Sequence, residues 1–262
     1  MSVAYFTATS AGFEPYERAQ GPWSPDMLHG RLLGALGMRA VELAHGESGL
    51  RPARLTVDLF RSAPMATVTV ELATVREGRR VRLVDATLNA GGFAVARVSA
   101  LLLRPGDQPA GRSWRPEPWT APHPDTVPDD PGDADPPPGA EPPPWKIRTV
   151  EGGFGRSERA RVWTLETASL VDGEPLSPVV RTALSGDLAS PLANSTDEGL
   201  AFINADYTVA LGRLPIGEWI GLEASQHLAN DGIALAACTL YDLDGPFATS
   251  TTSAVANPPL TT

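Results

Sequence analysis

The chain has 262 residues, 42% of them hydrophobic, with a formal net charge of −10 and one cysteine. That length allows one large domain or two small ones. The negative charge argues against nucleic-acid binding, Cys238 cannot form an intrachain disulfide, and no signal peptide or membrane-length apolar run is present. A soluble cytoplasmic protein is the expectation.

Residues 3–8, VAYFTA, are aromatic or β-branched and read as a strand. Residues 24–43, SPDMLHGRLLGALGMRAVEL, read as a buried helix on which the first half is organised. Ser24 suits the N-cap and Pro25 the first helical position. Leu28, Leu32, Leu36, Ala40 and Leu43 fall at helical spacing, and Leu33, Ala35, Met38 and Val41 fill the other sides. His29 stands early in this helix, where a structural hydrogen bond is the favoured reading over a general base.

Strands follow. Leu55, Val57 and Leu59 alternate with polar residues, the period of a half-buried strand. Residues 66–76, 79–88 and 93–103 make three more, with turns at Glu77-Gly78 and residues 89–92. Arg76, Arg79, Arg80 and Arg82 gather at one hairpin, usually a solvated turn but also able to receive a coenzyme A phosphate.

Residues 105–144 differ in kind. They hold 14 of the 26 prolines, eight acidic residues and two basic ones. Such a stretch cannot bury enough apolar surface to order itself and reads as an extended surface linker, with Trp114 and Trp119 as candidate anchors. From Trp145 the pattern begins again. Two strands lead to Ser177-Pro178, a second Ser-Pro helix start, with a helix expected to about Ser190, before Pro191. Residues 204–213, 217–227, 233–241 and 247–255 read as four strands.

The halves match one another. Thr56, Val57, Leu59 and Arg61 have identical partners in Thr208, Val209, Leu211 and Arg213. Two fused domains of one fold are expected, 1–104 and 145–262, joined by 105–144.

FINADYTVALGRLPIGEWIGLEA, starting at Phe202, resembles the type II acyl-CoA thioesterases. So do His29-Gly30 and the LYDLDGP hairpin starting at Leu240. The resemblance implies an α+β double hotdog: two antiparallel sheets, each wrapped around a central helix and joined into one. It implies an acyl-CoA substrate, hydrolysed to free acid and coenzyme A by an activated water, with no cofactor and no metal. Family members share an aspartate on the second helix, a Thr, Ser or Asn at the next strand, and a glutamine on the last strand. Asp187 matches the first and Asn204 the second. The last strand has no glutamine; Thr252 stands at that place, with Ser253 beside it, and neither has an amide's reach. The missing glutamine keeps a different class in view, a hotdog protein that binds acyl thioesters without turning them over. Oligomeric state stays open, a homo-oligomer included.

Overall fold

A computed structural model describes residues 3–114, 120–130 and 144–257. Fourteen strands make its main sheet. The first half supplies β1 (Ala4–Thr9), β2 (Gly12–Pro15), β3 (Arg51–Leu59), β4 (Val68–Arg76), β5 (Val81–Ala90) and β6 (Phe93–Leu103). The second half supplies β7 (Trp145–Glu151), β8 (Arg161–Glu166), β9 (Ser169–Val171), β10 (Phe202–Asn204), β11 (Asp206–Leu211), β12 (Trp219–Asn230), β13 (Ile233–Asp242) and β14 (Gly245–Ala256). The helices are α1 (Gly30–His45), α2 (Pro178–Gly186) and the short α3 (Ala189–Ala193).

The strand order is β9-β1-β2-β4-β5-β6-β3-β11-β14-β13-β12-β8-β7, with β10 added against β14. The two sheets of the expectation are therefore one continuous sheet. Had β3 and β11 each ended a sheet, both would leave a row of unpaired backbone groups; pairing them removes both edges. Thr56 and Thr208 meet face to face at that seam, where Thr208 Oγ1 donates to Thr56 Oγ1 at 3.0 Å. The strands run in mirrored order outward from this pair. All pairings are antiparallel except β1 with β9, through which the second half adds a strand to the edge of the first.

Residues 24–28 are not helix. They form a short strand against Gln20–Gly21, and α1 starts only after His29. A residue before proline is pushed towards extended backbone, so Ser24-Pro25 serves a strand as readily as a cap. Leu43 is exposed on the last turn, outside the apolar face. At Ser177-Pro178 the same dipeptide does start a helix: Ser177 Oγ accepts the Val180 N–H as N-cap. That helix breaks at Asp187, earlier than expected, and Pro191 falls inside the first turn of α3. Proline is tolerated there because first-turn N–H groups lack helical partners anyway.

Described residues of the proline-rich stretch pack on the second half. Pro124–Thr126 forms a single 3-10 turn, with Pro124 and Val127 buried. Trp163 Nε1 donates to the Pro122 carbonyl at 3.1 Å, and the Asp130 carboxylate accepts from Thr149 N–H and Oγ1. Trp114 is 86% exposed and anchors nothing; Trp119 lies outside the described residues.

The two longer helices lie against each other on the inner face of the sheet. Glycine makes this approach possible. The Tyr207 hydroxyl donates to the Ala183 carbonyl of α2 at 3.0 Å, and a Cβ on Gly34 of α1 would overlap that hydroxyl. Gly34→Ala is expected to destabilise the protein by about 1–3 kcal/mol through overpacking. Tyr207→Phe should recover part of the loss in the double variant. Urea unfolding of the three variants checks this; a single variant as stable as the parent would mean the helices have room.

Candidate active site

Asp187 sits where α2 ends, turned into the protein between α2 and α3. Its position is held from below: Ser250 Oγ on β14 donates to the carbonyl of Gly186 at 2.7 Å. Asn204 ends β10, and its Nδ2 donates to Asp187 Oδ1 at 2.8 Å and to the Asp206 carbonyl at 3.3 Å. The amide nitrogen is thus committed to the protein, and Asn204 lines two cavities.

The third group comes from the other half of the chain. His29, the N-cap residue of α1, places Nδ1 at 3.8 Å from Asp187 Oδ2. This is too long for a direct hydrogen bond, and a separation of this size suits a bridging water. His29 itself is fixed: its N–H donates to the Ala19 carbonyl, and its ring meets Trp145 edge-on at 6.2 Å. The Arg31 guanidinium stacks on that same Trp145 ring at 3.9 Å.

Charge at the site follows from burial. Burial raises the Asp187 carboxyl above its ordinary value; the bond from Asn204 and the charge of Arg31 offset only part of this. Burial, helped by Arg31, pushes His29 down to about 3. His29 is therefore neutral near pH 7, while Asp187, once ionised, is a carboxylate of raised basicity.

Two cavities meet at these residues. One, of about 540 Å³, is walled mainly by apolar side chains, among them Trp145, Ile147, Phe154, Leu188 and Phe202. The other, of about 220 Å³, runs past Gly30, Leu59 and Ser62 to Arg61. Pro22, Trp23, His29, Asp187 and Asn204 line both.

Of the residues named from sequence, Asp187 and Asn204 are brought together. Thr252 lies on the inner face of β14, between Ser250, which bonds Gly186, and Ala254, which pairs with Asn204; its Oγ1 is buried without a hydrogen-bond partner among the described residues, and it lines neither cavity. Ser253 points to the opposite, exposed face, where its N–H donates to Asp206. His29, for which the sequence favours a structural hydrogen bond over a general base, is the third side chain at the junction. Its only sequence signal was the His-Gly pair. The arginine hairpin is at the far end of α1, where Arg82 contacts Glu77 and His45. A 16-residue helix puts it about 24 Å from His29. Cys238 is buried, and burial, then Glu223, pushes its thiol up to about 12. Among the described residues no cluster of three His, Cys, Asp or Glu could hold a metal ion.

Comparison with known proteins gives the family. A family model described as the acyl-CoA thioesterase C-terminal domain matches residues 120–256, and one described as the N-terminal domain matches residues 19–103. The chain belongs to the acyl-CoA thioesterase family. Solved structures show the same fold. A hot dog fold protein of unknown function from Alicyclobacillus acidocaldarius superposes with TM-score 0.71 at 18% identity, covering 97% of this chain and 96% of that one. The tesB protein of Mycobacterium avium subs paratuberculosis superposes with TM-score 0.66 at 16% identity, covering 91% of each chain. The acyl-CoA thioesterase II TesB2 of Mycobacterium marinum gives 0.64 at 18% identity, covering 88% and 91%. No curated protein sequence matches the chain. No helix among the described residues is long and apolar enough to cross a membrane.

Proposed function

We propose that the protein hydrolyses an acyl-CoA thioester to the free acid and coenzyme A, using a water held by Asp187. The observation that carries this is the raised Asp187 carboxylate at the junction of two cavities, with Asn204 and His29 around it. Asp187 takes a proton from the water as it attacks the thioester carbon, and a carboxylate of raised pKa is the better base for that step. Asn204 orients the water through its amide oxygen. The neutral imidazole of His29 fixes the water from the opposite side. Negative charge gathers on the carbonyl oxygen as the tetrahedral intermediate forms; its collapse breaks the C–S bond, and the coenzyme A thiolate leaves with the proton that Asp187 took from the water. Gly30 and Arg31 open α1 ahead of its first backbone bond, from Leu32 N–H to the His29 carbonyl, and Gly30 lines the smaller cavity, so their N–H groups stabilise that charge together with the helix dipole.

The cavities differ in charge, and this orients the substrate. Neither lysine nor arginine lines the larger cavity, which suits an acyl chain. Arg61 stands on the smaller one, which suits the phosphate-bearing coenzyme A arm. Residues 1–104 and 145–262 are two hotdog units in this reading, each giving one side of the site: His29 from the first, Asp187 and Asn204 from the second.

Release of free thiol from a panel of acyl-CoAs tests the proposal. Saturable, enzyme-dependent release is expected. Tight binding of acyl-CoA with no release would replace it with the binding-protein reading.

A further inference from the structure

A further cavity, of about 250 Å³, adjoins the larger one, and Ile147 and Phe154 line both. Ile147 is fixed in the ladder between β7 and β8, opposite Thr164. Phe154 is held differently. It stands in the loop between those strands, where Gly152, Gly153 and Gly155 have φ of 63°, 134° and 71°. Those are left-handed conformations that favour glycine. Gly152 has a second reason to be glycine, since a Cβ there would overlap the Arg159 carbonyl. The loop is thus shaped to turn tightly, and it presents Phe154, half-buried, against the core.

We propose that Phe154 sets the longest acyl chain the site accepts. The inference rests on the acyl-CoA reading above. With the thioester carbon at Asp187, the chain runs into the larger cavity past Leu188 and Phe202 until it meets the Phe154 ring. Beyond the ring the walls change character, to Asp130, Thr149 and Arg156. Asp130 and Thr149 are bonded to each other, so they leave a space that an apolar chain can enter once the ring is removed.

The test is steady-state thiol release with saturated acyl-CoAs of increasing length, on the parent protein, Phe154→Ala and Phe154→Trp. In the parent, kcat/KM should rise by roughly fourfold per buried methylene and then stop rising at a ceiling. Phe154→Ala should move that ceiling to longer chains, and Phe154→Trp to shorter ones. Should Phe154→Ala fail to fold, Phe154→Leu gives a smaller shift in the same direction. An unchanged ceiling in folded variants overturns the proposal. No thiol release by the parent from any chain is a different failure, that of the hydrolase reading. The length ceiling is then read from calorimetric binding of the same series, with the same shifts expected.

Discussion

Asp187→Asn is expected to lower thiol release by roughly 10²–10⁴-fold, the usual worth of a positioned acid or base, without loss of stability. Asparagine keeps an oxygen to accept the Asn204 bond, so the local geometry survives while the base is gone. The stability side follows from the direction of the pKa shift. Burial raises the Asp187 carboxyl in the folded state, so the folded protein prefers it protonated. The stabilisation this provides is complete below the unfolded carboxyl pKa of about 3.9 and is lost as pH rises through the folded value. At pH 7 the charged carboxylate is thus a cost that the neutral amide avoids. The melting temperature of Asp187→Asn should equal or exceed that of the parent at pH 7. The parent's kcat/KM should rise with pH through one ionisation above the usual carboxylate range. His29, pushed down to about 3, should add no limb near pH 6.5. An active Asp187→Asn variant would mean that another group holds the water.

Much of this site was open to reading in the sequence, and the unread part has a physical reason. The resemblance points to Asp187 and to Asn204. The nearness of His29 to Asp187 did not stand out, because it arises across the two halves of the chain. Local pattern carries no such information. Strands were the easiest elements: the alternation at Leu55, Val57 and Leu59 gives β3, and residues 93–103 match β6. Helix starts were harder. Ser-Pro caps α2 at Ser177 but lies in a strand at Ser24, because Leu28 finds a backbone partner in Gln20. The seam between the halves was half visible. The repeat aligned Thr56 with Thr208, yet nothing in it said that the two would pair directly.

Glu166→Ala is expected to cost the largest share of stability, about 3–5 kcal/mol, because it strands a buried charge. Arg31 is fully buried in α1, and Glu166 reaches it from β8. Tyr5 closes the group: Arg31 donates to its hydroxyl, which donates to Glu166 Oε2 at 3.0 Å. Burial works against the charge on Arg31, and Glu166 with its neighbours outweighs it, so Arg31 keeps its charge. Removing only the acid leaves the guanidinium without its counter-ion. Replacing both partners with apolar residues of similar size, Arg31→Met with Glu166→Leu, should cost much less than Glu166→Ala alone, and such swaps are often neutral or stabilising. Urea unfolding of the variants measures this; equal losses would show that shape, not charge, is what Glu166 supplies. The double variant also shows why the pair is placed here. Arg31 holds Asp187 below the value that burial alone would give it. Without that charge, the pH at which kcat/KM reaches half its plateau should move upward, even where the fold is as stable as before.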